Sequence, residues 1–532
     1  MAEPGKNRLA GVARGSTLNL AGAAFSGAAT VAVTLLVTRH FSKPVAGAFF
    51  TALSLFLIVE TAASLGGYVG LVNFIAGLRS LGKEDRVPAI LRAAVLPVAV
   101  VSVVAAAGMA LAAGPLARLV LSGHIGHVGA SPEAVATMLR ALALALPFAA
   151  LLDTLLGASR GYRAMRPTVV VDRLGRSALQ LAGVGVAVAA GAAALLAPLW
   201  ALPYLPAAVV AWLWLRRVRR RSRQQPEPEP AGRRPPGSRR AGVLASRQLA
   251  RANGRGFWRF TIPRAIASLA QITIQRLDIV LVAILRGPAE AAVYTAATRF
   301  LVAGQFANGA ISQAAQPRFA ELFAVGNRRG ANEVYHATTA WLMLLTWPLY
   351  LLAMIYGPEV VTIFGPSYRA GGKVMLILGA AMLLATACGQ VDMVLIATGR
   401  SSWSLANGLL AVGLNVALDL LLIPRYGIAG AAIGWAVAIA ATNLIPLGQL
   451  AVAARVHPFG PGTLAAAALP ALTLGALPLA ARAVAGNSAA VAITAVAVGF
   501  ALLVAGIWRF RAVLQLKALP VPAGFHLRSN PE

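Results

Sequence analysis

The sequence predicts an all-α membrane protein, on the evidence of its hydropathy, its low charge content and the length of its apolar segments. Of its 532 residues, 58% are hydrophobic and only 12% are charged, which is about half the charged fraction of an ordinary soluble domain. The apolar residues form blocks of about 20, the length of helix that crosses a hydrocarbon core. These blocks lack the alternation of a membrane β-barrel, so helices are the structure that satisfies their backbone in lipid.

We predict about fourteen membrane spans from these apolar blocks. The spans cover residues 17–38, 46–72, 90–113, 134–157, 168–190, 194–215, 260–285, 290–316, 335–356, 371–397, 402–423, 427–453, 463–482 and 488–508. Basic residues concentrate in every second connection, which by the positive-inside rule predicts that both termini are cytoplasmic. The same clusters account for the formal net charge of +30, so nucleic acid is not an expected partner.

An Arg/Pro-rich segment at 216–256 divides the chain into two halves. Its proline, glycine and like charge cannot form a packed core, so we expect a flexible cytoplasmic linker. No aromatic side chain is interleaved with its arginines, unlike in proteins that stack on single-stranded nucleic acid. The predicted domains are a cytoplasmic N-terminus (1–16), a first six-helix lobe (17–215), the linker (216–256), a second six-helix lobe (257–455), an additional helix pair (456–508) and a cytoplasmic tail (509–532).

Two pairs of similar segments indicate that the lobes are repeats. The segment PVAGAFFTA at 44–52 aligns with PAEAAVYTA at 288–296, and DTLLGAS at 153–159 aligns with DMVLIAT at 392–398. Each pair falls at corresponding connections of the two halves. An even number of helices in each lobe gives both repeats the same orientation in the membrane.

Four segments carry a resemblance to a known family. They are LLVTRHFSKPVAGAFFTALSLF (35–56), QRLDIVLVAILRGPAEAAVYTAATRF (275–300), DMVLIATGRS (392–401) and LDLLLIPRYGIAGAAIGWAVA (418–438). Across about residues 15–455 the chain resembles the polysaccharide-transport (Wzx-type) flippases of the multidrug/oligosaccharidyl-lipid/polysaccharide (MOP) exporter superfamily.

The resemblance implies two helical lobes around a central cavity and transport by alternating access. It also implies a substrate, a polyprenyl-pyrophosphate-linked oligosaccharide that moves from the inner to the outer leaflet of a bacterial plasma membrane for cell-surface polysaccharide biosynthesis. The implied partners are this lipid-linked oligosaccharide, membrane lipids, and a polysaccharide polymerase or glycosyltransferases.

Two arginines within the predicted spans are candidates for binding the pyrophosphate. Arg276 and Arg299 lie on consecutive spans, each roughly 15 Å from the same end at 1.5 Å per residue, so they can converge. A guanidinium group donates paired hydrogen bonds to phosphate, and a charge within a membrane indicates function. The alternative is an internal salt bridge in which Asp278 or Glu60 neutralises one arginine, and both interpretations stay open at this stage.

Other polar residues within the spans are candidates for coupling and for lining a sugar path. The carboxylates Glu60 and Asp278 can bind a coupling proton or cation, or they can pair with an arginine. The amide side chains predicted to line the path are Gln271, Gln275, Gln305 and Asn308. Hydrogen bonding between helices is the alternative role for these amides.

Several classes of function are disfavoured by the sequence. It contains no HExxH motif, nucleotide-binding loop or Ser/His/Asp pattern, and its one cysteine is Cys388, so we expect no enzyme activity, metal or cofactor. A multidrug cation antiporter is disfavoured because 17–38 lacks a carboxylate. A flippase for lipid II, the peptidoglycan precursor, and a non-transporting scaffold remain alternatives.

A short segment, IPRYGIAGAAIG at 423–434, is predicted to be a tight hairpin between two spans. Pro424 is expected to end the first helix, because it lacks the donor for the preceding turn. Gly430 and Gly434 are spaced four residues apart, which allows the second helix to pack closely against a neighbour.

Overall fold

The computed structural model describes residues 4–121, 131–224 and 254–514, and the regular structure in these ranges is helical throughout. Within them, 12 helical segments are long and apolar enough to cross a membrane. The other two predicted spans, 168–190 and 290–316, are also helical. The prediction of an all-α polytopic membrane protein with about fourteen spans is therefore confirmed.

The α-helices are α1 (Pro4–His40), α2 (Lys43–Ala63), α3 (Gly67–Ser80), α4 (Val87–Leu121), α5 (Pro132–Gly161), α6 (Ser177–Ala189), α7 (Leu196–Ala201), α8 (Tyr204–Gln224), α9 (Gly254–Arg286), α10 (Pro288–Ala324), α11 (Arg328–Ile355), α12 (Gly357–Val360), α13 (Gly372–Ala387), α14 (Val391–Ala397), α15 (Ser401–Tyr426), α16 (Ile428–Ala453), α17 (Pro461–Pro470), α18 (Leu477–Ala485) and α19 (Ala489–Arg509). Two π-helical segments, Thr168–Arg176 and Ala471–Ala476, lead directly into α6 and α18.

The predicted linker is partly helical at both of its ends. Helix α8 continues through the arginine run to Gln224, and α9 begins at Gly254. Arginine is a good helix former, so a solvated helix end tolerates this run. Residues 225–253 lie outside the described ranges.

The repeated segments of the two halves meet at the predicted outer end of the bundle. Gly47 on α2 lies so close to Pro288, the first residue of α10, that a Cβ at Gly47 would overlap the Pro288 carbonyl group. Two side chains extend this seam: Arg39 Nε donates to the carbonyl oxygen of Ile363 at 2.6 Å, and Lys43 Nζ donates to that of Ser367 at 2.9 Å. The halves are thus in contact at this end.

Helix α9 joins the two halves at the opposite, predicted cytoplasmic end. Phe257 packs against Phe74 of α3 with ring centroids 5.4 Å apart, and Trp258 Nε1 donates to the Ala93 carbonyl oxygen at 3.2 Å. Further along, α9 packs against α10 and α15 of the second half. Its first turns therefore belong to the first half in packing, although the sequence assigns α9 to the second.

The additional C-terminal helices pack beside the second half. Helix α17 lies against α11, and Trp341 Nε1 donates to the Leu514 carbonyl oxygen at 3.1 Å. Arg482 Nη2 forms a salt bridge of 3.2 Å with Glu359 Oε1. The additional C-terminal helices therefore lie at the periphery, away from the contact between the two halves.

The predicted hairpin at 423–434 is present, but the expected end of its first helix is wrong. Helix α15 continues through Pro424 to Tyr426, because the Gly427 amide still donates to the Ile423 carbonyl oxygen at 2.8 Å. Gly427 has a φ of 58°, in the left-handed region that favours glycine. A Cβ at Gly430 would overlap the Leu422 backbone, so close packing of α15 and α16 requires a glycine there.

The seam at Gly47 gives a first prediction. Gly47→Ala should destabilise the protein by about 1–3 kcal/mol, the range for overpacked sites, because the methyl group would displace the Pro288 backbone. Thermal unfolding in detergent measures the effect. Gly108→Ala is the control, since no heavy atom lies within 4 Å of a Cβ there and alanine favours a helix over glycine. Equal losses in both variants would contradict this account of the seam.

Candidate functional site

A cavity of about 200 Å³ between the two halves brings the two candidate arginines together. Arg276 comes from α9 and Arg299 from α10, and they share the cavity with residues of α1, α2 and the 176–204 region. The polar and aromatic residues that line it with them are Ser26, Thr30, Thr34, Phe50, Arg176, Ser177, Gln180, Trp200 and Tyr204. We call this space the arginine cavity.

Arg276 and Arg299 have no anionic partner in the part of the chain that the structure describes. Arg299 is only 6% exposed, and the Nε atoms of both arginines are buried without a hydrogen-bond partner. The salt bridges among described residues involve neither of them. The alternative salt bridge to Asp278 or Glu60 is therefore not formed. The two guanidinium groups line the same cavity, and like charges that face one space repel each other. An anion between them would offset both desolvation and repulsion.

A third arginine of the cavity, Arg176, is held by its neighbours. Its Nε donates to Asp172 Oδ1 at 2.6 Å, and its Nη1 donates to Gln180 Oε1 at 2.8 Å. The guanidinium carbon lies 4.9 Å from the centre of the Tyr204 ring. Our sequence reasoning missed Arg176, although its spacing from Asp172 is that of an i, i+4 ion pair.

A second cavity, of about 210 Å³, contains the candidate carboxylate Glu60. Its wall consists of Glu60, Thr61, Ser64, Tyr68, Asp153, Ser268, Gln271, Ile272 and Gln275. Two of the four predicted path-lining amides, Gln271 and Gln275, therefore face this space. Because the lining residues that carry formal charge are both carboxylates, we call it the carboxylate cavity.

The other two predicted amides lie elsewhere. Asn308 accepts a hydrogen bond from Gln390, whose Nε2 lies 2.5 Å from Asn308 Oδ1, as in the interhelical alternative. Gln305 is exposed and lines neither cavity. Of the four amides, two line a cavity wall, one joins two helices and one is exposed.

Asp278 belongs to a separate buried cluster in the second half. Tyr294 Oη donates to Asp278 Oδ2 at 2.8 Å, and the Asp278 and Asp419 side chains interact directly. Asn415 Nδ2 donates to Asp419 Oδ2 at 3.3 Å, while Oδ1 of each aspartate is buried without a partner. A Cβ at Gly434 would collide with Asp419, so the predicted packing glycine makes room for this cluster.

The pairing of Asp278 with Asp419 has a chemical consequence. Two carboxyl groups in contact cannot both carry an uncompensated charge, so a proton or a cation must accompany them. Both residues are at most 1% exposed, which raises the energy of any unbalanced charge further. The cluster is therefore a candidate site for a bound proton or cation.

The arrangement of the helices matches that of solved membrane transporters. The structure of lipid II flippase MurJ in an inward closed conformation aligns with a TM-score of 0.64 at 10% identity, covering 93% of this chain and 98% of that one. An inward-facing multidrug resistance MATE family transporter of the MOP superfamily aligns with a TM-score of 0.61 at 13% identity, covering 81% and 95%. This chain has the fold of the MOP superfamily.

A third solved structure extends the range of this likeness. It is a MOP superfamily transporter from Pyrococcus furiosus, described as having reversed polarity of its binding pocket, and it aligns with a TM-score of 0.53 at 14% identity, covering 82% and 94%. That description indicates that the polarity of the binding pocket differs between proteins of this fold. The charge of a pocket consequently has to be read from the residues of each chain.

One family model matches part of the sequence. Residues 247–370 match a family described as polysaccharide biosynthesis protein. The matched region includes α9 and α10, which carry Arg276 and Arg299. Together with the shared fold, this match confirms the resemblance that the quoted motifs showed. No curated protein matches the sequence significantly.

The aspartate cluster gives a second prediction. Tyr294→Phe removes the donor to Asp278, and an unsatisfied buried acceptor costs about 1–3 kcal/mol, so the midpoint of thermal unfolding should fall. Tyr426→Phe is the matched control, since Tyr426 is 61% exposed and should tolerate the change. A Tyr294→Phe midpoint equal to the wild-type value would show that this hydrogen bond does not stabilise the cluster.

Proposed function

We propose that this protein is a flippase that moves a polyprenyl-diphosphate-linked oligosaccharide from the inner to the outer leaflet of the bacterial plasma membrane. In this role it would supply cell-surface polysaccharide biosynthesis, with both termini in the cytoplasm. A polymerase or glycosyltransferases that use the same lipid-linked substrate are the expected partners. The family match at 247–370 supports a role in making polysaccharide.

The observation that carries this proposal is the pair of unpartnered arginines in the arginine cavity. A diphosphate supplies negative charge and oxygen acceptors that fit two guanidinium groups, and bidentate hydrogen bonds add to the attraction. The hydroxyl groups of Ser26, Thr30 and Ser177 line the same space and can bind the remaining oxygens. The polyprenyl chain can stay in lipid, so only the headgroup needs a polar route.

Two other transport functions are the competing candidates. A lipid II flippase is favoured by the likeness to MurJ, which extends over 93% of this chain, and lipid II also presents a diphosphate to the arginines. A multidrug cation antiporter is favoured by the likeness to the MATE transporters. The unpartnered Arg276 and Arg299 would repel a cationic drug, so the antiporter is the weaker of the two.

The aspartate cluster is suited to coupling transport to an ion gradient. Asp278 and Asp419 require one proton or cation between them, and Asp278 lies two residues from Arg276 on α9. Binding or loss of a proton or cation at the cluster changes the charge on helix α9. The same helix carries Arg276, which is proposed to bind the diphosphate. We therefore assign the coupling role to this cluster rather than to Glu60.

The arginine cavity gives a third prediction. In proteoliposomes, Arg276→Gln and Arg299→Gln should each reduce the flipping of a fluorescent polyprenyl-diphosphate sugar by at least about tenfold, because each removes a charge-assisted contact of about 1.5–3 kcal/mol. Accessibility of the label to a membrane-impermeant quencher measures flipping.

Arg425→Gln is the matched control for these variants, because Arg425 is exposed and lines neither cavity. It should flip at the wild-type rate. Wild-type rates in both cavity variants would exclude the arginine cavity as the diphosphate site. Faster flipping of lipid II than of polysaccharide precursors would favour the peptidoglycan alternative.

The aspartate cluster gives a fourth prediction. Asp278→Asn removes a titratable carboxyl group but keeps an oxygen to accept from Tyr294, so the fold should persist. Flipping by this variant should no longer respond to an imposed proton or sodium gradient, while binding of the diphosphate probe persists. Glu60→Gln should keep the gradient response. A gradient response retained in Asp278→Asn but lost in Glu60→Gln would move the coupling site to Glu60.

A further inference from the structure

We propose that the carboxylate cavity binds the sugar attached directly to the diphosphate, and that it selects a neutral or amino sugar over an acidic one. This inference rests on the proposed function, because it needs a diphosphate in the arginine cavity. It adds a substrate class to that function, a lipid diphosphate whose first sugar carries no carboxylate. The positions of the two cavities, the chemistry of the lining and its charge support it.

The two cavities adjoin along helix α9. Gln275 lines the carboxylate cavity and Arg276, the next residue, lines the arginine cavity. On α2 the two cavities are also consecutive, since Leu57 lines the arginine cavity and Glu60, about one turn later, lines the other. A sugar bonded to a diphosphate at Arg276 therefore lies within reach of the carboxylate cavity.

The lining of this cavity matches what a sugar ring requires. The hydroxyl groups of a sugar donate to carboxylate oxygens and exchange hydrogen bonds with amides and other hydroxyls. Carboxylate, amide and hydroxyl side chains all line this cavity. The volume of about 210 Å³ is several times the roughly 30 Å³ of a water molecule in the liquid. It can therefore accommodate a ring-sized polar group.

The Glu60 side chain has an acceptor in this cavity that no described donor satisfies. The residue is only 9% exposed, and its Oε1 is buried without a hydrogen-bond partner among the described residues. Its Oε2 has only a long contact of 3.5 Å from the Thr61 hydroxyl group. A buried acceptor without a donor raises the energy of the empty site, and a sugar hydroxyl or ammonium group would satisfy it.

The backbone at the cavity wall is irregular, as at other membrane binding sites. Helix α2 ends at Ala63 and α3 begins at Gly67, and between them Leu65 has a φ of 50°, which is unusual for a residue with a side chain. A helix broken at membrane depth is tolerated where it lines a cavity. Ser64 and Tyr68, on either side of the break, both line the carboxylate cavity.

The charge of the lining determines which sugars fit. Among the described residues that line the cavity, Glu60 and Asp153 are the two charged ones, and they are close enough to interact with each other. Two arginines and a further aspartate act on Asp153 from outside the lining: Arg160, 5.6 Å from the centre of the Tyr68 ring, and Arg176, which is paired with Asp172. A uronic acid would add a carboxylate beside this pair, whereas an amino group would neutralise it.

The test measures the affinities of short-chain probes for the full chain in lipid nanodiscs. The probes are citronellyl diphosphate alone and its glucose, glucosamine and glucuronic acid derivatives. The wild-type protein should bind the glucose and glucosamine probes at least about tenfold more tightly than the glucuronic acid probe. Glu60→Gln and Asp153→Asn should each narrow that ratio and leave the affinity for citronellyl diphosphate unchanged.

Asp392→Asn is the matched control, because Asp392 is the repeat counterpart of Asp153 but is exposed and lines neither cavity. It should keep the wild-type ratio. Size-exclusion profiles and thermal unfolding establish that each variant is folded. If Glu60→Gln does not fold, the wild-type ratio between the glucose and glucuronic acid probes still tests the proposal.

The outcomes separate this inference from the function on which it rests. If citronellyl diphosphate does not bind, or if Arg299→Gln leaves its affinity unchanged, the proposed function fails. If it binds through Arg299 but the wild-type protein does not distinguish glucose from glucuronic acid, only the present inference is overturned. A wild-type ratio retained in both Glu60→Gln and Asp153→Asn would also overturn it.

Discussion

The structure depends on one constraint, the high free energy of a positive charge that is buried in a membrane bundle without a partner. Arg299 is only 6% exposed, and it shares a cavity with Arg276 while no described carboxylate pairs with either. The chain does contain buried carboxylates, so the arginines could have been neutralised internally. Their separation from Asp278 keeps the arginine cavity attractive to an anion, at the expense of stability in the empty protein.

The polar groups within the bundle are sorted by charge into three places. Arginines gather in one cavity, Glu60 and Asp153 in a second, and Asp278 with Asp419 in a closed cluster. Helix α9 contributes to all three, through Arg276, Gln275 and Asp278. Because one helix carries the three groups, a change of charge or position at one of them acts on the others through a single rigid element.

The sequence predicted the fold and part of the site, because these follow from local patterns. Hydropathy predicted the spans, and the short connection between α9 and α10 predicted that Arg276 and Arg299 would converge. The contacts of Asp278 with Asp419 and of Arg176 with the cavity could not be predicted, because they join helices distant in the chain. Pro424 misled for a local reason: the loss of one donor does not end a helix when the following amides still find acceptors.

The seam between the repeated segments also bears on how the protein changes shape. At Gly47 and Pro288 the contact is between backbone atoms, and Arg39 and Lys43 add bonds to main-chain carbonyl oxygens. Water can replace those bonds at a membrane surface, but the apolar side chains beside the seam, among them Ala46, Phe49 and Ala291, belong to one continuous buried cluster. Separation of the halves at this end would expose that apolar surface to water, so the seam holds the two halves together at the predicted outer end.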